Sequence, residues 1–182
     1  LSGLPEHKVI GSGTVLDTAR LKYQLSEHLM VDSRSVHAFI VGEHGDSEVV
    51  AWSSANVSGI AIDRFCEMRG HLRHAEATEE IANKVKNSAY EIINRKRATY
   101  YGIAIAVKRI CEAIARDEKS ILPISHMTHG EHGIDGVVLS MPAIIGSDGI
   151  EADVPITFND DERRKLQASA DQLKEIFDSL EL

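Results

Sequence analysis

Cysteines, aromatic residues and long apolar runs are all scarce in this chain, and each shortage excludes a class of protein. The two cysteines, Cys66 and Cys111, stand far apart and share no metal-ligand spacing. Nothing asks for a disulfide-stapled secreted scaffold, and a reducing cytoplasm is the simpler setting. No stretch approaches the ~20 consecutive apolar residues of a membrane span; the longest apolar runs are strand-sized. Positive charge is also short, with 20 Lys and Arg against 28 Asp and Glu and a net charge of −8. The longest basic block is Arg95-Lys96-Arg97, which disfavours nucleic acid and acidic membranes as partners. The start, Leu1-Ser2-Gly3-Leu4-Pro5, has no initiator methionine and is neither basic nor apolar enough for a signal peptide. It reads as the interior of a longer chain.

What is present suits one domain over residues 1–182, long enough to bury a substantial core and free of repeats or linkers. Residues 14–29 place Val15, Leu16, Ala19, Leu21, Leu25 and Leu29 near helical spacing, with Asp17 in the first turn. Strands are expected at 35–41 and 48–51, followed by a mixed Ser/Gly/Ile segment to about 62. The clearest amphipathic helix covers 75–94 on a stripe of Ile81, Val85, Ala89, Ile92 and Ile93. A second runs over 100–117 through Ile103, Val107, Ile110 and Ile114. Short apolar runs then alternate with turn signals over 120–157, and Asp148-Gly149 predicts a hairpin. Asn159 with Glu162 predicts the capped start of a last helix, buried through Leu166, Ala170, Leu173, Ile176, Phe177 and Leu180. This order is α+β, not the βαβ alternation of a nucleotide-binding sheet.

Gly11-Ser12-Gly13-Thr14-Val15-Leu16 begins like a dinucleotide loop, but Leu16 stands at the third glycine position and no βαβ unit follows. The helix after it carries Asp17 and Arg20, three apart and therefore on one face. A surface ion pair is the bland account of that spacing. Gly42-Glu43-His44-Gly45-Asp46-Ser47 sets a histidine on a glycine-flanked bend behind the apolar run 36–41. A histidine there is held firmly, is approachable, and titrates near neutral pH, although most such residues simply make turns. Taken together, the three residues form an acid/base set. A carboxylate fixes the imidazole tautomer and stabilises its protonated form, and an arginine grips a substrate carboxylate through two parallel hydrogen bonds.

Residues 11–20, Gly-Glu-His-Gly-Asp-Ser at 42–47 and Ala-Thr-Tyr-Tyr-Gly at 98–102 resemble the NAD-dependent L-lactate dehydrogenases, within the lactate/malate dehydrogenase family. Their order and separations are similar to those of that family's C-terminal, substrate-binding domain, from residue 1 to the end. The resemblance implies long helices packed on antiparallel sheets, with the N-terminal Rossmann domain missing from the chain. It implies that His44 gives a proton to the pyruvate carbonyl and takes one from lactate, that Asp17 holds His44, and that Arg20 binds the substrate carboxylate. It places Thr99 in the pocket wall near the nicotinamide. Hydride transfer and NAD, bound mainly by the absent domain, rest on the resemblance alone. So does a role in glycolysis and fermentation, with a homotetramer in the cytoplasm. Glu43 before the histidine is similar to the lactate rather than the malate branch. A related hydroxyisocaproate or malate dehydrogenase, or an inert assembly or effector-binding fragment, is the alternative; the isolated piece is expected to be inactive.

The resemblance also implies an allosteric fructose 1,6-bisphosphate site at Lys22 and His37, where lysine replaces the family's arginine and its fork. Arg97 stands where the family usually carries glycine, and it is expected to point to solvent from a helix-to-helix turn. His126, His129 and His132 tempt a metal reading, but the stretch is glycine-punctuated with no cysteine and no evident fourth ligand, so a solvated hairpin loop is expected and no metal is assigned. His71 and His74 are expected in a solvated charged loop. Tyr90, Tyr100 and Tyr101 are expected as packing residues with a polar tip at the surface.

Overall fold

The structure, a computed structural model, describes residues 2–71 and 73–180. Its first long element is α1 (Val15–Leu29). Leu21, Leu25 and Leu29 are wholly buried there; at four-residue spacing they line one face, each side chain contributing about 1.5–3 kcal/mol by leaving water. The helix stops at Met30, which turns left-handed at φ 55°.

The single strand expected over 35–41 is two strands, β1 (Val36–His37) and β2 (Ile40–Val41), in different sheets. Helix α1 accounts for the break. The Ile40 N–H donates to Thr18 Oγ1 at 2.9 Å, and the Ile40 carbonyl accepts from Thr14 Oγ1 at 2.5 Å. That flank of β2 is therefore bonded to a helix, while its register is kept by β3 (Val49–Val50). The segment to residue 62 forms a hairpin of β4 (Asn56–Val57) and β5 (Ile60–Ala61), and β4 also pairs with β1. Ser58 and Gly59 turn it at φ 52° and 83°, the backbone sign a tight two-residue hairpin requires. It leads into α2 (Ile62–Met68), a helix the sequence reading did not separate because seven residues barely display a period.

The two long helices appear as α3 (His74–Lys96) and α4 (Tyr101–Ala115). Of the expected α3 stripe, only Ile81 and Val85 are buried, and Ile93 is 42% exposed. The second half of α3 thus lies at the rim of the core. Val107 is likewise exposed on α4, whose buried face is Ala106, Ile110 and Ala113. Tyr100 and Tyr101 are more exposed than expected, resting on each other with ring centres 4.6 Å apart rather than entering the core. Arg97 caps α3 in the left-handed region (φ 64°) and is exposed, a backbone conformation that glycine adopts more readily than arginine.

An antiparallel meander follows: β6 (Ser120–His129), β7 (Asp135–Gly146) and β8 (Gly149–Asp153). The β7–β8 hairpin turns between Gly146 and Gly149, where Asp148-Gly149 placed it. Early in β7 burial alternates, then both faces are covered from Leu139 onward. Helix α5 (Asp160–Asp178) shares an apolar cluster with Val137, Leu139 and Met141, α4 shares one with Ala143 and Ile145, and Gly42, just after β2, bridges to Ser140 at the strand edge. The Asn159–Glu162 capping box is formed at the head of α5. Three apolar clusters result, and α1 contributes to two of them.

Six of the seven histidines outside the candidate sites depart from a purely solvated picture, His7 being the exposed exception. His126 is buried within β6, its Nε2 2.7 Å from Asp153. His129 reaches Glu6 at 2.5 Å, and His132 stands edge-on to Phe158. The three side chains diverge to separate partners. His71 lies with its ring 4.6 Å from that of His28, and His74 opens α3 with a largely covered side chain; α1 and α3 converge there, which removes both from open solvent.

Candidate active site on helix α1 and the bend after β2

Asp17 is set in the first turn of α1 with its side chain only 5% exposed. Its Oδ2 lies 2.6 Å from His44 Nδ1, and its Oδ1 lies 3.4 Å from Arg20 Nη1. Arg20 reaches it from one helical turn further on, as the three-residue spacing predicts. His44 arrives from the chain leaving β2 and is 55% exposed, so its other ring nitrogen is accessible. Asp17 holds the imidazole pKa above its usual value, chiefly through the hydrogen bond, against an opposing effect of burial.

The bend is braced on both sides. Gly42 exchanges backbone hydrogen bonds with Ser140 of β7 and sits at φ 91°. A Cβ at Gly42 would fall 2.8 Å from Ser169 Oγ on α5, so only glycine admits that approach. The Ser169 hydroxyl accepts from the Glu43 N–H at 2.8 Å, and Ser47 donates to the Glu43 carboxylate. From α3, Lys86 Nζ donates to the Asp46 carbonyl at 2.5 Å. Glu43 therefore has a structural use, closing the loop that presents His44.

Glu48 was not singled out from the sequence. It is half-buried beside the pair, and burial together with the Asp17 charge pushes its carboxyl up to about 7. One donor atom from each of Asp17, His44 and Glu48 lies within 4.8 Å of the other two. A carboxylate four residues past the histidine was the available signal, but its depth was not.

Thr99 is partly buried in the turn between α3 and α4. Among the described residues no hydrogen bond joins it to His44, although Gly102 packs close to Leu16, next to Asp17. Lys22 and His37 line one groove of 590 Å³ together with Arg34, Arg109 and Lys119. Burial lowers the Lys22 pKa. The three further cations come from three separate segments, so nothing local in the sequence announced them. The Gly11–Gly13 turn is filled from β6: Gly11 pairs with Ser125, and a Cβ on Gly13 would meet the Ser125 nitrogen at 2.7 Å. No room is left there for a pyrophosphate.

The lactate/malate dehydrogenase, alpha/beta C-terminal domain, matches residues 14–181. The chain belongs to the lactate/malate dehydrogenase family. It is 53% identical over its whole length to an L-lactate dehydrogenase of Acetivibrio thermocellus, covering 57% of that protein. It is 47% identical to L-lactate dehydrogenase 1 of Clostridium acetobutylicum, with 99% of this chain and 58% of that one aligned. Among solved structures, the ligand-bound minor L-lactate dehydrogenase of Enterococcus mundtii superposes with a TM-score of 0.94 at 41% identity, covering all of this chain and 57% of that one. The α+β architecture is thus that of the family's C-terminal domain. The chain spans a little over half the length of the relatives it matches.

Proposed function

We propose that residues 1–182 are the substrate-binding domain of an NAD-dependent L-lactate dehydrogenase, interconverting pyruvate and L-lactate. In pyruvate reduction the proton added to the carbonyl oxygen comes from His44, and in lactate oxidation the hydroxyl proton returns to it. Asp17 keeps the Nδ1 proton in place and stabilises the charged ring, while Arg20 takes the substrate carboxylate in a two-pronged grip. NAD supplies the hydride chemistry; its binding is assigned to residues other than these. Thr99 lines the pocket on the α4 side. The observation that carries the reading is one buried carboxylate bonded to His44 at 2.6 Å and facing Arg20 at 3.4 Å.

In the full-length enzyme, His44→Gln is expected to lower kcat roughly 10²–10⁴-fold, the usual worth of a positioned acid/base, with the fold retained. An unchanged kcat would remove His44 from its role. A steady-state comparison of pyruvate, oxaloacetate and 2-oxoisocaproate separates lactate, malate and hydroxyisocaproate dehydrogenases; Glu43 before His44 favours pyruvate. The cationic side chains of Lys22, Arg34, Arg109 and Lys119, with His37 in the same groove, support a second, regulatory reading, with fructose 1,6-bisphosphate as the ligand. The exposed Tyr100, Tyr101, Ile105 and Phe177 favour burial by further subunits in a homotetramer, and a cytoplasmic setting belongs to the same proposal.

A further inference from the structure

Glu48 is the group beside the acid/base pair for which the proposed reaction has no use. Among the described residues its carboxylate makes no hydrogen bond or ion pair, although it is half-buried. One of its oxygens lies within 4.8 Å of a donor atom on each of Asp17 and His44. We propose that Asp17, His44 and Glu48 form a site for a divalent transition-metal ion of the zinc type, which competes with the proton that His44 and Asp17 share.

The donor set is one imidazole nitrogen and two carboxylate oxygens, a mixture suited to zinc rather than to calcium or magnesium. Zinc holds such atoms at about 2.0–2.2 Å, which sets donors roughly 3.3–3.6 Å apart in a tetrahedron. The three donor atoms already lie within 4.8 Å of one another, so closing the site asks for displacements of little more than about 1 Å. The His44–Asp17 contact of 2.6 Å is shorter than a metal tolerates between two ligands; it must open by about 1 Å as the Nδ1 proton leaves for solvent. Two carboxylates and a neutral imidazole then balance the double charge of the ion, and the Asp17–Glu48 repulsion is relieved. Arg20, on the far oxygen of Asp17, and Lys86 are the opposing cations.

Metal uptake rests on this geometry alone. Only its consequence, inhibition through loss of the transferable proton, rests on the lactate dehydrogenase reading. Zinc chloride titrated calorimetrically into the 182-residue chain near neutral pH is expected to give one saturable site. Glu48→Gln and His44→Gln should each weaken it more than the roughly tenfold that loss of an outer partner costs. Cys111→Ser and His129→Gln, which alter the exposed thiol and the histidine-rich hairpin, should leave it unchanged. In the unmutated chain, zinc should shift the His44 ring resonances before those of any other histidine. Absence of saturable uptake, or a first response at another histidine, overturns the site whatever the variants do. Zinc uptake with His44→Gln turnover unchanged would instead sink the reaction and leave the metal site standing.

Discussion

Asp17 serves two partners at once, and the division between its oxygens is what makes the site chemical. One oxygen orients His44 and the other faces Arg20, so replacing either neighbour changes a different step. Arg20→Lys keeps the charge but loses the planar fork. The KM for pyruvate is expected to rise about tenfold or more, as loss of a charge-assisted bond worth about 1.5–3 kcal/mol implies; equal KM values in mutant and parent would refute the clamp. Glu48 carries the pH dependence. Its folded pKa is raised from 4.5 to about 7 by burial and by Asp17. A raised folded pKa means stability that is complete below the unfolded value and is lost as pH climbs through the folded one. The contribution of Glu48 to stability should therefore be lost between pH 4.5 and about 7, and Glu48→Gln should remove that component from the pH profile. Urea unfolding with chelator present, at either end of the window, measures it; parallel curves for parent and variant would contradict the assignment.

At the scale of elements, the signals written in neighbouring residues were legible. The period of α1, the two long helices and the β7–β8 hairpin follow from apolar spacing and turn chemistry within a few residues. The Asn159–Glu162 box is the sharpest case, with both reciprocal hydrogen bonds formed at 2.9 and 3.0 Å. Asn159→Ala should cost about 1 kcal/mol of stability, read as a lowered denaturation midpoint at unchanged m-value; no shift would mean that the cap is idle. The break between β1 and β2 was not legible, because Thr14 and Thr18 act on Ile40 from more than twenty residues away. The outer half of α3 misled for the opposite reason: Ile92 and Ile93 keep the helical period but reach beyond the residues that bury Ile81 and Val85.

Across the whole molecule, α1 is the common support. It buries leucines in one core, borders a second, presents Asp17 and Arg20 to the bend, and turns Lys22 into the cationic groove. If that groove takes a bisphosphate, fructose 1,6-bisphosphate should sharpen the pyruvate saturation curve of the full-length enzyme, and Lys22→Gln should blunt the response. Curves that overlay with and without the sugar phosphate would end the idea. The sequence alone determined where the four long helices run, where the last one is capped, and that 11–20, 42–47 and 98–102 carry the family's pattern, since periodicity, capping and motif order are local or linear properties; the seven-residue α2 escaped it. Only the tertiary structure decided that Asp17 meets His44 across 27 residues, that Glu48 lies beside them, and that Arg34, Arg109 and Lys119 join Lys22 and His37. Those depend on how a helix, a bend and two sheets pack, and the distance between side chains from different elements has no periodicity to read.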